Sequence, residues 1–148
     1  MDRAASGAEE VPLVLVVEVE DGLRLLLRVA FESSGHLVHE AENGAEALEQ
    51  VERDVPDLIV TDVMMPHMSG IELAERLQAR VTPVPLIAIS ADRQKLAEVP
   101  ADIKIEKPFD PQELVGAAAR LLAAARHASP AAGEAPSTTA AAVRSAQP

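Results

Sequence analysis

Four side chains of this sequence could act together in chemistry: the acids Glu18 and Asp62, the hydroxyl of Ser90 and the ammonium of Lys107. Asp62 is the most exposed to interpretation. It stands in Leu58–Gly70, LIVTDVMMPHMSG, at the end of an apolar run and ahead of a Met-Met-Pro turn. A run of β-formers closed by turn residues reads as a buried strand that delivers its last residue to a loop. An acid at the carboxyl end of a central parallel strand sits where open α/β sheets bind ligands. Acids also commonly start turns, and by itself the stretch allows either reading. Ser90 taken alone is a turn or cap hydroxyl, and Lys107, before Pro108, a solvated loop residue.

The elements that would position them follow from the hydrophobic pattern. Leu13–Val17 (LVLVV) is a continuous run, as in a strand buried on both faces, and leads into Glu18-Val19-Glu20-Asp21. A helix follows, with Leu23, Leu26, Leu27, Ala30 and Phe31 on one face and Arg24, Arg28 and Glu32 on the other. Ser33-Ser34-Gly35 closes it with a glycine suited to a left-handed cap. A second strand spans His36–Ala41. A second helix begins at Asn43 or Gly44, turns Ala47, Leu48 and Val51 inward and stops before Pro56. Asp57–Thr61 is the third strand. Ser69, with Glu72 in the capping-box position, opens a third helix carrying Ile71, Leu73, Ala74 and Leu77. Val84–Ser90 is the fourth strand, Ala91–Val99 holds a short helix at best, and Ala101–Glu106 alternates like an edge strand. Asp110 caps a last helix, Pro111–Arg126. Strands alternating with helices give an α/β fold, a doubly wound parallel sheet that collects Glu18, Asp62, Ser90 and Lys107 on one rim.

Composition narrows the functions available. The 148 residues are enough for one domain, flanked by a polar leader (1–11) and an Ala/Pro-rich tail (127–148), both expected to be disordered. Only Phe31 and Phe109 are aromatic, so the core is aliphatic. The net charge of −11 would repel a phosphate backbone, so direct binding to nucleic acid is not expected. With no cysteine, disulfides, zinc–thiolate sites and thiol catalysis drop out together. The four histidines lack metal-ligand spacing. There is no signal peptide pattern, and no run approaches the roughly 18 apolar residues of a membrane span. The expected location is cytoplasmic.

VVEVEDGLRLLL, AENGAEALE, PDLIVTDVMMPHMSGIEL, PLIAISA and EKPF, in that order, resemble the receiver domain of two-component response regulators over roughly Pro12–Arg126. The resemblance implies a flavodoxin-like five-stranded sheet of order 2-1-3-4-5. It implies Asp62 as phosphoacceptor from a histidine kinase or phosphotransfer protein, the hydroxyl of Ser90 as a donor to the phosphoryl group, and Lys107 as its balancing charge. It further implies Mg²⁺ held by Glu18, Asp62 and the main-chain carbonyl of Met64, and a cis Lys107–Pro108 bond. Carboxylates serve as covalent nucleophiles in such transfers, and Mg²⁺ takes oxygen ligands.

The sequence departs from that pattern in three places. The family sets two acids after the first strand; here the pair reads Glu18-Val19, so Mg²⁺ binding is expected to be weakened unless Glu20 turns inward. Taking Glu20-Asp21 as the pair instead displaces Val16-Val17 and Leu23 from their matching positions. Lys104 occupies the place of the aromatic switch residue. The Ser90–Lys107 interval is short by roughly five residues, on the order of one and a half helical turns, so the fourth helix should be truncated or absent. The expectation is an atypical, stand-alone bacterial receiver, not an enzyme, that signals through a downstream protein, with a homodimer as one open option for its assembly. The alternative is a phosphorylation-independent pseudo-receiver that binds protein. A phosphatase using Asp62 is disfavoured, because Met64 stands where a second acid would be needed.

Overall fold

The computed structural model describes residues 11–128. In chain order the elements are β1 (Leu13–Val17), α1 (Asp21–Ser33), β2 (Leu37–Ala41), α2 (Gly44–Arg53), β3 (Leu58–Asp62), α3 (Gly70–Gln78), β4 (Leu86–Ser90), α4 (Arg93–Glu98), β5 (Ile103–Glu106) and α5 (Pro111–Ala128). The five strands form one parallel sheet in the order β2-β1-β3-β4-β5, as expected for a flavodoxin-like fold. Register pairs Val17 with Thr61, Asp62 with Ile89 and Ser90 with Glu106, which brings the carboxyl ends of the central strands to one level.

β1, β3 and β4 are buried along their whole length because helices cover both faces of the sheet. On one face Leu15, Val17, Ile59 and Ala88 pack with Ala47, Val51, Leu73, Leu77 and Leu96 from α2, α3 and α4. On the other, Val14, Val16, Val60 and Ile87 pack with Leu27 and Phe31 of α1 and Leu114 and Ala118 of α5. Each fully buried large side chain contributes about 1.5–3 kcal/mol by leaving water. Caps fall where the sequence places them: Asn43 and Ser69 accept from the Glu46 and Glu72 amides, and Gly35 takes φ 94°. The amide of Gln112 donates to the Asp110 carboxylate at the start of α5.

Some boundaries differ. β4 starts at Leu86, since Pro83 and Pro85 have no amide to give the ladder. β5 starts at Ile103, and α5 runs to Ala128, two residues into the segment assigned to the tail. The rest of that tail and residues 1–10 of the leader lie outside the described residues. The expected face of α1 holds at Leu23, Leu27, Ala30 and Phe31, but Leu26 is 47% exposed and Arg24, placed on the solvent side, is buried. The truncated fourth helix is present as α4, six residues long. Among the described residues no helix is long and apolar enough to cross a membrane.

Candidate phosphoacceptor site

Glu18, Asp62, Ser90 and Lys107 meet at the carboxyl rim. Asp62, the last residue of β3, is buried; its Oδ1 accepts from the Met64 amide at 2.9 Å and its Oδ2 receives Lys107 Nζ at 2.7 Å. The same ammonium lies 3.6 Å from Glu18 Oε1. Glu18 Oε2 accepts from the Glu20 amide at 3.0 Å, while Oε1 is a buried oxygen with no hydrogen-bond partner. Ser90 is fully buried, and its Oγ accepts from the Asp92 amide at 3.0 Å. Main-chain pairing places the lysine: the Lys107 amide donates to the Ser90 carbonyl at 2.9 Å, and the Lys107–Pro108 bond is cis.

Two carboxylates share one cation in a buried space, and the charges respond. Burial, with some addition from the nearby charge of Asp62, raises the Glu18 carboxyl to about 7, against the opposing Glu20 amide and Lys107. Burial works against the Lys107 ammonium too, but its bond to Asp62 and the attraction of both acids outweigh it and hold it above its ordinary value.

The loop from β3 to α3 brings the backbone close. A methyl group on Gly70 would lie 2.5 Å from the Asp62 carbonyl oxygen and 2.6 Å from Val63 Cα, so only glycine fits. In the sequence Gly70 is only the residue after the Ser69 cap; the acid eight positions earlier is the available signal for a close backbone approach. In the same loop His67 takes φ 70°, and the Met68 amide bonds the Pro66 carbonyl at 2.7 Å across it, closing a tight turn.

For a hard cation the donor set is partly suited. Glu18 and Asp62 supply oxygens, the unpartnered Glu18 Oε1 among them, and Mg²⁺ is commonly held by one or two carboxylates together with substrate phosphate. Met64, on the loop leaving Asp62, is held to the site through its amide. Glu20 does not join them: its side chain is exposed and only its amide serves the site, because the turn into α1 carries it outward. Val19 is 41% exposed and offers no side-chain donor. Among the described residues no three His, Cys, Asp or Glu side chains converge as a metal site.

Residues 14–119 match the family described as the response regulator receiver domain, and the chain belongs to that family. It is 40% identical over 130 residues to the phosphate regulon transcriptional regulatory protein PhoB of Pseudomonas aeruginosa, covering 83% of this chain and 56% of that one. The chain spans about half the length of that regulator and of others it matches. Among solved structures, a putative response regulator from Chloroflexus aurantiacus superposes with a TM-score of 0.73 at 28% identity, covering 77% of this chain and 99% of the other. The response regulator TrrA of Thermotoga maritima, solved in complex with Mg²⁺ and BeF, superposes with a TM-score of 0.70 at 29% identity, covering 75% and 99%.

Proposed function

We propose that the chain is a cytoplasmic receiver that takes a phosphoryl group on Asp62 from a histidine kinase or phosphotransfer protein and signals through protein contacts. The observation that carries this reading is the 2.7 Å pairing of Lys107 with a buried strand-end aspartate, beside Glu18 and Ser90. In the transfer, an Asp62 carboxylate oxygen attacks the phosphorus of a phosphohistidine. The phosphorus–nitrogen bond breaks, the imidazole leaves, and an acyl phosphate forms. Lys107 then exchanges its carboxylate partner for the phosphoryl oxygens, and the Ser90 hydroxyl donates to another. Bound Mg²⁺ would supply further positive charge at those oxygens. Glu18, Asp62 and the Met64 carbonyl are the residues that would hold it, and would hold it weakly, because Val19 contributes no ligand. A second reading, a pseudo-receiver that binds its partner without phosphorylation, draws on Val19 and on the pairing that already neutralises Asp62.

Incubation with acetyl phosphate and Mg²⁺, followed by intact mass, separates the two readings. A phosphoryl adduct that is absent from Asp62→Asn supports the relay; no adduct at millimolar Mg²⁺ in either protein supports the pseudo-receiver. Disturbing even the outer partners of a metal site costs about 10–100-fold, so Val19→Asp should tighten Mg²⁺ binding by at least about tenfold and speed labelling. Equal Mg²⁺ affinity in Val19→Asp and the natural chain would refute the weakened site.

A further inference from the structure

The first turn of α1 carries a side chain that the phosphoryl-transfer reading leaves unused. Arg24 is 9% exposed, and a buried guanidinium is costly unless its donors are filled. All three of its nitrogens are engaged. Nη1 donates to the Glu18 carbonyl at 2.7 Å and to the Val19 carbonyl at 3.3 Å. Nε donates to Glu40 Oε1 at 3.1 Å, and Nη2 to Asp21 Oδ1 at 2.6 Å, with Glu42 Oε2 3.8 Å away. The acids hold the fork from outside and aim its remaining nitrogen at two consecutive carbonyls, where β1 turns into α1. From there a short chain of contacts reaches the pocket. The turn presents the Glu20 amide to Glu18 Oε2 at 3.0 Å, and Glu18 Oε1 is left 3.6 Å from Lys107 Nζ.

We propose that Arg24 is a positioning residue for the phosphoacceptor pocket: by holding the Glu18 and Val19 carbonyls it fixes the turn that aims the Glu18 carboxylate at Asp62 and Lys107. Its effect on phosphorylation rate rests on the function proposed above; its effect on the turn does not. Lysine keeps a charge opposite Asp21, Glu40 and Glu42, but a single ammonium cannot fill the rigid fork that spans three acids and two carbonyls. Arg24→Lys therefore isolates the geometry from the charge.

The test uses the full chain with Arg24→Lys and Arg24→Gln, and Glu18→Ala as the reference for a lost Glu18–Glu20 bond. The readouts are the Glu20 amide resonance and the labelling rate of Asp62 by acetyl phosphate with Mg²⁺, both taken well below each variant's melting midpoint. In both Arg24 variants the Glu20 resonance should move toward its Glu18→Ala position, further for glutamine. Labelling of Arg24→Gln should slow by about tenfold or more, the scale seen when partners of metal-ligand residues are lost. Variants that melt earlier yet keep both the Glu20 resonance and the labelling rate would overturn the proposal and leave Arg24 as packing alone. If the natural chain takes no label, the phosphoacceptor reading fails, and the resonance alone decides the role of Arg24. If Arg24→Gln does not fold, Arg24→Lys decides it by the same readouts.

Discussion

Gly70 and Glu18 show how little room the site leaves at the scale of single residues. The atoms that a Gly70 side chain would strike are backbone, the carbonyl of Asp62 and the Cα of Val63, and cannot step aside as a flexible side chain would. Gly70→Ala should therefore cost about 1–3 kcal/mol, as overpacking does, and should disturb the Asp62 amide region; thermal melts and amide shifts check it. Glu18 makes stability depend on pH. Its carboxyl is raised from the usual 4.5 to about 7 in the fold, so the folded chain binds the proton more tightly than the unfolded one. The fold thus loses stability as pH rises from about 4.5 to about 7, by on the order of 3 kcal/mol at most. Glu18→Gln removes that dependence. Urea unfolding at pH 5 and pH 8 should show the natural chain losing ground to the variant; a constant difference would show that Glu18 is ionised at both.

Among the elements, the strands and the inward faces of α2 and α3 were legible, and one edge of the α1 face was not. β1, β3 and β4 announce themselves because a strand covered on both sides needs an unbroken apolar run. The rim positions of Glu18, Asp62 and Ser90 follow from where those runs end, and that of Lys107 from the end of β5. On α1 the rule that charge faces water failed: Arg24 is buried because acids and carbonyls fill its donors, and Leu26 is left outside. No periodicity encodes that, although an arginine six positions after the first acid was visible. α4 and β5 raise a different point. Lys104 Nζ donates to the Ala97 carbonyl at 3.0 Å, and Arg93 pairs with Glu106 at 3.0 Å, so α4 is tied to β5 near both its ends. The first tie caps the helix where the expected ring would swing. Treatment with a phosphodonor should then give only small amide shifts across Ile103–Glu106; large, saturable shifts there would show that another group has taken over the switch.

For the whole molecule, charge and core composition govern behaviour. Acids outnumber basic residues 24 to 13, and exposed pairs such as Arg28–Glu32 and Arg76–Glu72 contribute little each. Self-repulsion should outweigh what screening takes from those pairs, so the melting temperature should rise from low to physiological ionic strength. A fall would mean that the ion pairs around Arg24 and Arg28 dominate. The aliphatic core has an optical consequence. With no tryptophan or tyrosine, and with Phe31 and Phe109 both against the α1–α5 face of the sheet, the chain is almost dark at 280 nm and has no red-shifted emission of its own. A single tryptophan set in place of Lys104 would be the only strong fluorophore in the chain, and any change in its colour would report the surroundings of β5 and the facing end of α4.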